Sequence, residues 1–95
     1  MNDDTRRNAE EAATILESHI FRKAMDDLDR QAVAAWRDAK TPEEREYLHL
    51  KQAVIADLCN ELLRYVEKAA KQELHNNENG PFRAFFARWR HKNKE

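Results

Sequence analysis

The sequence predicts an all-α fold: an antiparallel two-helix hairpin followed by a short amphipathic C-terminal helix. Three observations predict it. One Gly and two Pro in 95 residues leave few places to turn, so the helices must be long. Apolar residues recur at spacings of three and four over most of the chain. Finally, Thr41-Pro42-Glu43-Glu44 writes a helix start in the middle of helical sequence. Thr41 suits the cap, Pro42 the first helical position, and Glu44 can reach back to close a capping box. Helical sequence on both sides of such a start puts the turn near Asp38 to Thr41.

Residues 1–8 are polar and are expected to form a flexible N-terminal segment. The hairpin is expected over residues 9–75. Its first arm opens with Ala9, Ala12, Ala13, Leu16 and Ile20 at helical spacing. Ser18 is a good N-cap, and a break there is favoured over a continuous helix. Phe21, Met25, Leu28, Ala32, Ala35 and Trp36 then mark one stripe that ends near Ala39. The second arm runs from Thr41 to about Leu74. Leu48, Ile55, Leu62 and Ala69 recur every seven residues, with Lys51, Leu58 and Tyr65 at the alternate seam position. Val54, Cys59 and Val66 widen that stripe. Residues 76–80 read as a loop. Pro81 opens a short helix to about His91, and a basic tail continues to residue 95.

The composition narrows the classes of function. Charged residues make up 37% and apolar residues 41%, which suits amphipathic helices and is too apolar for a disordered chain. A single cysteine, Cys59, excludes an internal disulfide framework and suggests a reducing cytoplasm. Among Leu58, Leu62 and Leu63 it reads as a small buried thiol, not a nucleophile. There is no secretory apolar region and no run near the length of a membrane span. Charge is uneven: residues 76–95 carry five basic and two acidic side chains, while the remainder is net acidic.

No enzyme and no cofactor are expected. The four histidines have no ligand spacing among themselves, and no Gly-rich phosphate loop exists. Asp26-Asp27-Leu28-Asp29 lacks the Gly-containing loop of an EF-hand and reads as a solvated face. Glu46-Tyr47-Leu48-His49 is a Glu-x-x-His step, the half-motif of carboxylate-bridged metal sites in helix bundles. A site would also need an inward carboxylate from the first arm, with Glu17 the nearest. The simpler reading is a solvated helix start, and no metal is expected.

Two surfaces stand out. Each arm shows an apolar stripe broader than one hairpin interface needs, and a lone hairpin of this size is marginal. Self-association to a dimer or higher oligomer is therefore expected through Phe21, Met25, Leu28, Leu48, Ile55, Leu58 and Leu62. The C-terminal helix concentrates half of the chain's aromatics as Phe82, Phe85, Phe86 and Trp89, beside Arg83, Arg88, Arg90, His91, Lys92 and Lys94. Phe82, Phe85, Phe86 and Trp89 with Arg83, Arg88 and Arg90 are the expected contacts to a protein partner. Phosphate binding on nucleic acid and rest on a membrane surface are the weaker uses of the same helix. Self-packing over an exposed end of the hairpin is the simplest use of this helix and ranks ahead of all of these.

The stretch Ile15 to Val66 carries Leu16-Glu17-Ser18-His19-Ile20-Phe21, Ala24-Met25-Asp26-Asp27-Leu28, Ala34-Ala35-Trp36-Arg37 and Thr41-Pro42-Glu43-Glu44-Arg45-Glu46. In these it resembles a group of small helical proteins encoded by tailed bacteriophages and prophages among head, portal and packaging genes. Where several of those have Asn-Pro before the Phe, this chain has Ser18-His19. The resemblance covers about half of the chain and leaves out the tail from Pro81. It implies a virion assembly component in the host cytoplasm or the virion, with a phage or host protein as partner. The alternative function is a small DNA-binding or packaging accessory that uses the basic C-terminal helix.

Overall fold

A computed structural model describes residues 1–92, with side chains through Arg90. The described residues are all-helical, without strands. Four helices follow one another: α1 (Asp3–Glu17), α2 (His19–Asp38), α3 (Pro42–His75) and α4 (Pro81–Lys92). No helix among them is long and apolar enough to cross a membrane.

α1 starts at Asp3, well before Ala9, so most of the segment expected to be flexible is helical. The reason is local. Asn2 Oδ1 accepts from the Thr5 amide at 2.7 Å, and Asp3 and Asp4 place negative charge on the positive end of the helix. Met1 packs against the core and Thr5 is buried, which ties the end down.

Ser18 ends α1 and starts α2 by itself. Its backbone is extended at φ −63° and ψ 128°. Its amide donates to Ile15 O at 3.0 Å, and its Oγ accepts from the Phe21 amide at 3.3 Å. The turn between α2 and α3 is capped by Thr41, whose Oγ1 accepts from the Glu44 amide at 3.1 Å. Glu44 Oε2 accepts from the amide of Lys40 at 3.2 Å, one residue earlier than a standard capping box would have it.

The end of α3 is a Schellman motif. Asn77 takes φ 56°, a left-handed value that Asn tolerates better than most residues. The Asn77 amide donates to Leu74 O at 3.0 Å and the Glu78 amide to Glu73 O at 2.8 Å, which closes both bonds of the motif. The chain reverses there and α4 folds back.

Glu73 holds α4 in place. Its side chain is 2% exposed, yet both carboxylate oxygens are used. Oε2 accepts from the Phe82 amide at 3.3 Å and Oε1 from the Arg83 amide at 2.8 Å. These are free amides of the first turn of α4, where a carboxylate is favoured. Gly80 stands at the cap position, with its carbonyl accepting from the Ala84 amide. A Cβ at Gly80 would overlap the Glu73 carboxylate, so the remote cap requires glycine there.

The core sits at the end of the molecule away from the α2–α3 turn. Ala9, Ala12 and Leu16 of α1 meet Val66, Ala69 and Ala70 of α3, and Phe82 and Phe85 of α4 close the third side. The alanines let the helices approach closely. α2 buries only Ala32, and Ala39 is buried at the turn. The molecule measures 54 × 22 × 20 Å, with a radius of gyration of 16.5 Å. A compact domain of this length would have about 12 Å.

The seam of α3 differs from the expected heptad. Leu48, Ile55, Leu62 and Ala69 do face inward, fully or in part. The alternate inward positions are Gln52, Cys59, Val66 and Glu73, while Lys51, Leu58 and Tyr65 are exposed. The inner stripe thus steps by four and then three: it keeps the seven-residue repeat of Leu48, Ile55, Leu62 and Ala69, but takes its second seam position from the other side of them.

Thr41→Ala is expected to lower stability by about 1 kcal/mol in urea unfolding. Gly80→Ala is expected to displace the Glu73 carboxylate and cost about 1–2 kcal/mol. Combined with Glu73→Ala, the loss should be clearly less than additive, because both changes remove the same cap. Additive losses would mean that the two residues act separately.

Candidate interaction surfaces

The C-terminal helix turns its aromatics inward. Phe82 and Phe85, expected as partner anchors, lie buried at 6% and 5% exposure in the chain's own core. Phe86 and Trp89 are half-buried against it. Phe85 and Trp89 stack with ring centroids 6.1 Å apart and planes inclined by 16°. The cause is the tight α3–α4 reversal, which brings the one aromatic stripe of α4 onto the alanine-rich end of α3.

The cations of α4 are engaged as well. Arg83 donates to Glu78 O at 2.8 Å and to Asn79 Oδ1 at 3.2 Å, bracing the loop. Arg88 lies 3.6 Å from Glu17 of α1 and above the Phe85 ring. Arg90 sits over the Phe86 ring at 5.9 Å. His91, Lys92 and Lys94 were expected to extend the basic face; those side chains lie outside the described residues.

An open groove of about 510 Å³ runs beside the Ser18 break. Leu16, Phe21 and Met25 line one wall, Ala56 and Cys59 the floor, and Phe85 and Trp89 the other wall. Glu17, Arg22, Asp26, Asp29 and Arg88 give it a charged rim. Cys59 is half-buried in it. Burial, and then the nearby charge of Asp29, raise its thiol above the ordinary value. The thiolate is disfavoured, so the geometry offers no activated nucleophile.

The residues expected to mediate self-association divide. Phe21, Met25, Leu28, Leu48, Ile55 and Leu62 are half-buried on the inward sides of α2 and α3. Only Leu58 is fully available, at 50% exposure. A different face of α3 is open instead. Tyr47, Leu50, Val54, Leu58 and Tyr65 are 64%, 54%, 66%, 50% and 41% exposed. At 100° per residue they fall within an arc of about 80° on α3. The residues of α3 that line the groove, Ala56, Cys59 and Asn60, lie about 120° or more round the helix from the middle of that arc. The stripe was legible in the sequence as a run at three and four spacing. It was masked because Leu58 and Tyr65 also fit a heptad seam.

Glu46 and His49 are exposed near the start of α3. Glu17 faces Arg88 across the groove, beside Ala56 and Asn60, about 15 Å further along α3. The structure does not bring the three together. Among the described residues no group of three His, Cys, Asp or Glu side chains could hold a metal ion.

No protein-family model, curated protein or solved structure matches the chain.

Asp29→Asn should lower the Cys59 pKa, because it removes a negative charge that opposes the thiolate. At pH 8 alkylation of Cys59 should then speed up by about two- to fivefold. An unchanged rate would show that burial alone governs the thiol.

Proposed function

We propose that the chain is a non-catalytic protein-interaction or assembly component, built as an antiparallel helical hairpin whose C-terminal helix closes one end, and that it works as a dimer or higher oligomer. The observation that carries this reading is the open apolar face of α3, five large side chains long. Apolar faces of this kind on small chains mark contact sites. The accessible surface points the same way. The chain exposes 7371 Å². A compact monomer of 11.3 kDa would expose roughly 5,700 Å². The difference exceeds the roughly 800 Å² that each partner covers in a standard interface. The resemblance of Ile15–Val66 to small phage-encoded helical proteins supports an origin in a phage and a role among head or packaging components.

The nucleic-acid alternative draws less support. Duplex binding needs cations free to meet phosphates. Arg83 and Arg88 are spent within the chain, on the α4 loop and on Glu17.

Sedimentation at micromolar concentration is the direct test, and a dimer or larger species is the expected result. A fully helical monomer overturns self-association. A gel shift with duplex DNA at physiological salt, abolished by Arg88→Glu with Arg90→Glu, would overturn the protein-contact reading in favour of a DNA-binding accessory.

A further inference from the structure

The outer face of α3 has an internal order that its apolar character alone does not explain. It begins with the acids Glu43 and Glu46. Tyr47, Leu50, Val54, Leu58 and Tyr65 follow, and Arg64 and Lys68 end it. Read backwards, most of the order repeats with the charge signs exchanged; Leu50 has no exposed apolar counterpart, since its mirror position is the half-buried Leu62. Tyr47 and Tyr65 stand at equal distances from Ala56, and so do Val54 and Leu58. Glu43 with Lys68, and Glu46 with Arg64, are centred within one residue of the same point. The four charged residues fall within an arc of about 60° on one side of the stripe, and the acids Asp57 and Glu61 lie in the same arc. All four are exposed.

We propose that this face is where a second copy of the chain docks, with the two α3 helices antiparallel about a two-fold axis near Ile55 and Ala56. The proposal rests on the self-association reading above and names its surface. Such an axis, lying between the helices and perpendicular to both, brings each flank against the same flank of the partner. The acidic end of one helix then meets the basic end of the other, at both ends of the contact. Val54 and Leu58 of each copy meet at the centre, and Tyr47 covers Tyr65. A parallel pairing would set Glu43 against Glu43 and Lys68 against Lys68. The overlap from Glu43 to Lys68 spans about 37 Å. Exposed ion pairs contribute little to stability, so the apolar face supplies the affinity and the charges select orientation and register. The pairing is isologous and therefore closes at two copies. It also uses a side of α3 about 120° or more from the residues that line the groove, so the groove beside Ser18 stays open in the dimer. Two acids on the same side oppose the pairing, Asp57 and Glu61, and Glu61 already holds Arg64 within the chain at 3.0 Å, so Arg64 must exchange that partner on docking. The two copies of Asp57 come within one turn of each other on the shared flank, near the axis.

The test is charge exchange on the full-length chain, with helicity checked by circular dichroism. Arg64→Glu with Lys68→Glu should weaken the dimer by about tenfold or more, since every cross-pair becomes repulsive. Adding Glu43→Lys and Glu46→Lys to that variant restores opposed charges and net charge together. The fourfold variant should dimerise as the parent does, within about threefold. Mixed with the parent, a mass-tagged fourfold variant should form homodimers and few heterodimers. Val54→Asp, at a position 66% exposed in the folded chain, should leave helicity intact and abolish the dimer. Asp57→Asn should tighten it. Preferred heterodimers in the mixing experiment would show parallel pairing and overturn the proposal. A parent dimer insensitive to Val54→Asp and to the charge changes would overturn it while leaving self-association standing. A monomeric parent would overturn both.

Discussion

The length of α3 is the constraint on which the rest of the structure depends. Thirty-four residues make a rod of about 51 Å, and no other helix among the described residues approaches that length. It is covered by pieces. α1 and α2 lie along opposite halves of it, and α4 adds a second layer at the α1 end only. That distribution sets where the core is. Three helices meet around Leu16, Val66 and Phe85, while only two meet around Ala32 and Leu48. It also leaves the outer face of α3 open from Tyr47 to Tyr65.

The layer at the α1 end depends on one buried carboxylate. Glu73 is a charged group with almost no contact with water, and its burial is tolerable because two backbone amides satisfy it. The same bonds fix the start of α4, and the absence of a side chain at Gly80 makes room for them. Once α4 is fixed, its aromatic stripe can face only the alanines of α1 and α3. The aromatic stripe of α4, which by composition suits a partner, is therefore largely turned to the chain's own interior. The groove beside Ser18 and the apolar stripe of α3 stay outside, as do Ile20, Val33 and Trp36 of α2.

The groove and the α3 stripe differ in character. The groove is concave, mixed in charge and built from four elements, so its shape depends on how α2 departs from α1 at Ser18. The α3 face belongs to a single continuous helix. Its pattern needs nothing but helical geometry to exist, and its rigidity comes from the core packed behind its C-terminal half. A surface carried on one helix, with large apolar side chains between opposite charges, suits the recognition of another helix.

The all-α class, the Ser18 break, the Thr41 cap and the start of α4 at Pro81 were legible in the sequence, because each is decided by residues within a few positions of one another. Capping, proline geometry and 3.6-residue periodicity act locally and leave local signatures. Asn2 as a cap was equally local, but a polar N-terminal stretch without apolar periodicity hides it. What only the tertiary structure decided is which of two apolar stripes on α3 is inward, and which way the α4 aromatics point. Leu58 and Tyr65 fit either stripe by spacing, and the choice falls to Cys59 and Val66 because α1 and α4 pack on that side. Phe82 and Phe85 became core residues through Glu73, nine residues earlier, whose carboxylate meets the α4 amides only after the chain has reversed at Asn77. Spacing along a chain determines what shares a face of a helix; which face is buried depends on partners that the spacing does not contain.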